Sequence, residues 1–137
     1  MLRTRLGWAE WELRAGRFEA ADATLEALRP LFAGKPPALV FRHQALVAEL
    51  LQRRGRAAKA VEAWALALAQ AEAQFGSESI STARWRVPYA EALLQAGQVD
   101  QARAQVRQAA PVLRAQLLPG SELPRRLDAL ESSLGQG

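Results

Sequence analysis

Apolar side chains recur three and four residues apart along most of this chain, and glycine interrupts the runs at regular places. Ala57, Ala60, Val61, Trp64, Leu68, Ala71 and Phe75 form the densest run, which puts them on one face of a helix. Val99, Ala102, Val106, Ala109 and Leu113 repeat the pattern, and Phe18, Ala21, Leu25, Leu28 and Phe32 give a sparser version. A glycine precedes each run: Gly16, Gly55 and Gly97, separated by 39 and 42 residues. Each also follows a helical stretch. Glycine tolerates positive φ, so it can end one helix and let an antiparallel partner start at once. The pattern predicts six helices in three pairs.

Small residues hold fixed places about each hinge. Ala9, Ala48 and Ala90 lie seven residues before the glycine, and Ala21, Ala60 and Ala102 lie five after it. Side chains that small let paired helices touch closely. Gly34-Lys35-Pro36-Pro37, Gly76-Ser77-Glu78 and Pro119-Gly120-Ser121-Glu122 separate the pairs. The units fall at about 2–33, 38–75 and 79–118, within a single domain of residues 1–137. Ser77 and Ser121 are the expected caps of the helices that follow them. A further helix at about 122–134 carries Leu123, Leu127, Leu130 and Leu134. It reads as the shortened first helix of a fourth unit, covering the end of a stack whose units bury their faces only on neighbours. Pro88 falls inside the first helix of the third pair, where proline costs ~3 kcal/mol or more. Either a kink there or a helix that starts near Arg86 is expected.

Half of the 137 residues are hydrophobic, enough to bury a core. There is no cysteine, which removes disulfides and thiolate metal sites. No apolar run approaches the ~20 residues that span a bilayer, and the first ten residues carry no signal-like apolar core. A soluble, cytoplasmic chain is expected. Its abrupt entry into the first helix suggests a domain from a longer protein. The net charge is +4, carried almost wholly by arginine, with lysine only at Lys35 and Lys59. The arginines are spread among glutamates, as on solvated helix faces, so nucleic acid is not the leading partner.

The alanine and glycine columns, with Ala67 and Ala109 further along and Leu25, Trp64 and Val106 at one aromatic or aliphatic position, resemble the tetratricopeptide repeat (TPR) family over about residues 2–118. The longer spacing resembles units of the kinesin-light-chain kind. The first unit departs most, with bulky Trp8 and Trp11 and with Leu28 in place of the late alanine. The resemblance implies an all-α, right-handed superhelical α-solenoid. The first helix of each pair would line a concave groove that takes a peptide or helix of another protein. It also implies the company of bacterial kinases and regulators, which carry such arrays.

Mapping the repeat onto that groove gives three columns. Arg3, Arg42 and Arg84 form one, Glu10, Glu49 and Glu91 a second, and Arg14, Arg53 and Gln95 a third. Spacings of seven and four keep them on one helical face. Arginine forks there can grip carboxylates of a bound chain, and the glutamates can select basic side chains. The competing reading is that Glu10 pairs with Arg14 and Glu49 with Arg53, ordinary surface pairs worth ~0.2–0.5 kcal/mol. Glutamate also stands where some family members use asparagine to clamp a C-terminal carboxylate, which argues against that specificity. Trp8, Trp11 and Trp64 are read as core, and Trp85, beside Pro88, as the tryptophan a kink could turn outward. His43 is expected at the surface, and Glu12 as a plain helix-face residue.

One histidine, no cysteine and no glycine-rich phosphate loop leave no catalytic set. The expectation is a non-enzymatic protein- or peptide-binding scaffold needing no cofactor or metal. Two alternatives stand beside it: self-association by stacking through open ends, and nucleic-acid binding by the arginines.

Overall fold

The computed structural model describes residues 2–32 and 34–135. Met1, Ala33, Gln136 and Gly137, which the expected domain and first unit include, lie outside the described residues. Seven α-helices follow one another: α1 (Leu2–Arg14), α2 (Phe18–Leu28), α3 (Pro37–Arg53), α4 (Ala57–Phe75), α5 (Ile80–Gln95), α6 (Val99–Gln116) and α7 (Glu122–Ser133). The described residues contain no strand. Helices next to each other in sequence pack together, and α3 also packs on α1 and α7 on α5. The fold is an all-α helical-repeat solenoid.

The three hinges are built alike. Gly16, Gly55 and Gly97 adopt φ of 81°, 77° and 84°. Each donates its amide to the carbonyl three residues back, at 3.1 Å from Leu13, Gln52 and Leu94 in turn. The next residue reaches five back: Arg17 to Glu12 at 2.8 Å, Arg56 to Leu51 at 2.9 Å and Gln98 to Leu93 at 2.8 Å. These bonds satisfy the orphan carbonyls of the ending helix and fix the exit direction of the chain. All six column alanines are fully buried. Packing of α1 on α2, α3 on α4 and α5 on α6 therefore meets no side chain larger than a methyl at its closest points.

Several local expectations are corrected. The second helix of the first pair stops at Leu28 and continues as a 3₁₀ turn, Arg29–Phe32, because Pro30 has no amide to donate and crowds the preceding turn. Ser77 caps nothing, since α5 starts three residues later. The cap is Ser79, whose Oγ accepts from the Thr82 amide at 3.1 Å. Ser121 stands at the start of α7 but turns its hydroxyl back, donating to Leu118 O at 2.6 Å. Helix α5 does not start late at Arg86. It runs unbroken through Pro88, which is buried.

His43 is not on the surface. It is 5% exposed, and its Nε2 lies 2.9 Å from Leu25 O. A carbonyl can only accept, so Nε2 carries the proton. Glu12 is buried too, accepting from Thr24 Oγ1 at 2.7 Å. Trp64 is core, but Trp8 and Trp11 are 55% and 47% exposed.

The units are also latched by charge. Arg86 of α5, 2% exposed, reaches back to Glu72 of α4 at 2.7 Å and donates to Gln105 at 2.8 Å. One repeat on, the same two places hold Arg114 and Asp128, paired at 2.7 Å, with Glu131 adding a second carboxylate. The contact is kept while its polarity is reversed.

Removing the buried latch outweighs removing a surface pair. Arg86→Ala is expected to cost about 3 kcal/mol in urea unfolding, against under ~1 kcal/mol for Arg53→Ala on the half-exposed Glu49 pair. Equal losses would show that the latch adds nothing. Gly55→Ala meets no neighbouring atom, so its cost is the strain of positive φ alone, about 1 kcal/mol.

Candidate binding groove

Of the first helices, α1 packs beside α3 and α5 beside α7, which takes the fourth place, while α3 and α5 approach each other less closely. Between them opens a groove of about 1030 Å³. Six of the nine predicted residues line it: Arg14, Glu49, Arg53, Arg84, Glu91 and Gln95. Arg3, Glu10 and Arg42 do not. Arg3 is exposed on the first turn of α1, and Glu10 and Arg42 are engaged with each other.

That engagement follows the repeat. The repeat register matches a glutamate in one unit with an arginine in the next: Glu10 with Arg42, Glu49 with Arg84, Glu91 with Arg126. The outer two rungs are closed. Arg42 Nη2 lies 2.9 Å from Glu10 Oε1, and Arg14 holds the other Glu10 oxygen at 3.0 Å. Arg126 grips Glu91 with both prongs, its Nε 3.0 Å from Oε2. The central rung is open. Glu49 turns to Arg53 Nε at 3.3 Å, and Arg84, exposed, makes no ion pair among the described residues. The ordinary Glu10–Arg14 and Glu49–Arg53 surface pairs thus both exist. They account for the glutamates and leave Arg84 over.

These pairings shift the groups that make them. The hydrogen bond from Arg42 holds the Glu10 carboxyl below the ordinary carboxylate value, burial opposes it, and Arg14 adds to the lowering. The hydrogen bond to Glu91 raises Arg126 above the usual arginine value.

Beneath the charges lies an aromatic floor that the sequence columns missed. Phe41 and Phe75 meet edge to face with centroids 5.8 Å apart, and Trp85 lies 6.0 Å from Trp64. All four line the groove. Phe75, the last residue of the apolar face of α4, is 44% exposed at the groove edge. Trp64 Nε1 donates to Gln52 Oε1 at 3.0 Å, which fixes the ring. Phe41 could have been found as the residue one turn before Ala45 on the same face. Arg126 could have been found by extending the arginine column one more repeat into α7.

A family model for the tetratricopeptide repeat matches residues 40–115, more than half of the chain. The chain belongs to the tetratricopeptide repeat family. The match runs from α3 almost to the end of α6, the two units with the regular alanine columns. The first unit, with Trp8, Trp11 and Leu28, lies outside it. No curated protein is significantly similar to the chain. Tetratricopeptide repeats are generally non-catalytic modules for protein–protein interaction and scaffolding. Among the described residues no helix is long and apolar enough to cross a membrane, and no group of three histidines or carboxylates is placed to hold a metal.

Because the Glu10 carboxyl titrates lower folded than unfolded, the unfolded chain binds more protons across the carboxylate range, and stability gained there rises with pH. The gain is present above the ordinary carboxylate value and lost as pH falls through the folded one. Glu10→Gln is therefore expected to lower the melting temperature at pH 7 and to match wild type near pH 3. A difference that persists unchanged into acid would show that the charge of Glu10 is not what stabilises the rung.

Proposed function

We propose that this tetratricopeptide domain is a non-catalytic scaffold that holds a peptide or helical segment of another protein in the groove between α3 and α5. The observation that carries this reading is the open central rung. Arg84 is a cation with no ion pair among the described residues, near an aromatic floor whose Phe75 is exposed and Trp85 partly so, and it is flanked by rungs that are already closed. A side-chain carboxylate of the bound segment takes Arg84, and an apolar neighbour sits against Phe75 and Trp85. Arg53 and Arg14 extend the cationic wall, Glu49 and Glu91 admit a basic side chain, and Gln95 supplies a neutral contact. Glu10, Arg42 and Arg3 set the far end, the first two by holding α1 to α3. Buried pairing of an arginine with a carboxylate contributes more than either exposed group could alone, because water is excluded from both.

A displayed random peptide library selected on the immobilised chain tests this. Enriched peptides should share an acidic residue next to an apolar one. Arg84→Glu should weaken them by tenfold or more, about 1.4 kcal/mol or above, while Arg29→Glu on the outer side of the first pair leaves them unchanged. Peptides that bind Arg84→Glu as tightly as wild type would sink the assignment.

A further inference from the structure

The first helices do more than line the groove. Each uses a second face to pack on the pair before it. In α3 that face is His43, Leu46, Val47 and Leu50, which join Leu6, Leu25 and Leu28 of the first pair. In α5 the same positions are Trp85, Pro88, Tyr89 and Ala92, with Trp85, Tyr89 and Ala92 set against Trp64 and Ala60 of the second pair. In α7 they include Leu127, Leu130 and Leu134, buried in the third. One step back along the repeat, the positions in α1 are Thr4, Gly7, Trp8 and Trp11. Leu50 is 3% exposed and Ala92 is not exposed at all, whereas Trp8 is 55% and Trp11 47% exposed. The two indoles stack with centroids 5.0 Å apart, and the Arg17 guanidinium lies 5.1 Å over Trp11.

The latch points the same way. Arg86 reaches back to Glu72 of the preceding second helix. Its counterpart in α1 is Arg5, which is exposed and makes no ion pair among the described residues. Helix α1 thus presents, at the positions by which α5 packs backward, two exposed indoles and a cation one turn away.

We propose that the Trp8–Trp11 face of α1 docks a further antiparallel helix pair of this repeat type, carried by a partner protein, whose second helix offers Arg5 a carboxylate at the register of Glu72. The recurring interface within this chain is the template for the contact. A second copy does not fit it. At the other end of the chain, the place of Glu72 is held by Arg114, already bound to Asp128 and Glu131. A two-fold contact of α1 on α1, centred between the tryptophans, sets Arg5 near Arg14 of the other molecule. Both self-contacts oppose arginine to arginine.

The chain's own second unit is a ready probe. Residues 36–82 joined ahead of Leu2 keep the native register, since Ala83 and Leu2 are equivalent. The extended protein should melt about 5 °C or more above the parent, as a stacked repeat adds an interface. The ¹⁹F resonances of 5-fluorotryptophan at positions 8 and 11 should shift as the rings leave water. Glu72→Arg in the added copy should remove the gain, and Arg5→Glu combined with it should restore it. An added unit that stays unfolded, leaves the melting temperature unchanged, or stabilises equally with Glu72→Arg overturns the proposal. Light scattering completes the test. The parent chain should remain a monomer at high concentration, and a dimer dissolved by Trp8→Ser with Trp11→Ser would assign the face to a second copy instead.

Discussion

Everything else in this molecule depends on how closely the two helices of each pair approach, and alanine sets that distance. Ala9 and Ala21, Ala48 and Ala60, and Ala90 and Ala102 are all removed from water. Because the same small side chains stand at the same distance from each glycine hinge, the three pairs close at the hinge in the same way. Like units then stack in register. Only under that condition can a column written along the sequence become a column in space. A single larger residue at one of these points would tilt one pair and break the alignment of every arginine and glutamate downstream of it. Overpacking at such a site is costly for the same reason, about 1–3 kcal/mol.

The charge ladder of the groove is a consequence. Glutamate in one first helix meets arginine in the next because the offset between units brings those positions together. Two of the three rungs close, and both closures occur where first helices pack directly together, α1 on α3 and α5 on α7. The middle rung spans α3 and α5, which approach each other less closely, and there Glu49 keeps only its local partner Arg53. Exposed pairs of this kind differ by fractions of a kcal/mol, so a small local preference is enough to leave Arg84 without a partner. The opening therefore needs no strain to maintain it. It also costs little to close, which suits a residue proposed to take a carboxylate from outside.

The repeat itself was legible in the sequence because it rests on residue types with narrow physical meaning. Glycine at positive φ and alanine at a contact point leave few alternatives, and the periods of three and four did the rest. Six groove residues followed directly from those columns. What escaped was set by tertiary context. His43 is polar by type, but its column is the one that faces the previous pair, and Leu25 O satisfies it there. Trp8 and Trp11 are apolar by type, but they lie on the corresponding face of α1, at the places of Val47 and Leu50, and there they are exposed. Ser77 lost its role to Ser79 by two residues, a difference decided by where α5 can begin rather than by serine's chemistry. At Pro88 a kink or a helix starting near Arg86 is the expectation from sequence, and α5 instead starts at Ile80 and holds the buried proline inside it, at the groove. Reading each helix as having two functional faces, one to the groove and one to the preceding unit, would have predicted all of these except the caps.

The reversed latch makes the same point about order. If Glu72–Arg86 and Arg114–Asp128 had the same polarity, the end of the second pair and the end of the third would be interchangeable to an incoming first helix. With the polarity reversed, Arg86 placed on the third pair would meet Arg114, and Asp128 placed on the second would meet Glu72. At the second pair, where Arg86 is buried, a missing carboxylate leaves a desolvated ion without compensation; at the exposed contact of the third pair the like charges repel more weakly. The alanine columns alone would let any first helix sit on any pair. The charges decide which one does, and Arg5 extends the same rule to the exposed face of α1: whatever packs there must resemble the end of the second pair and not the end of the third.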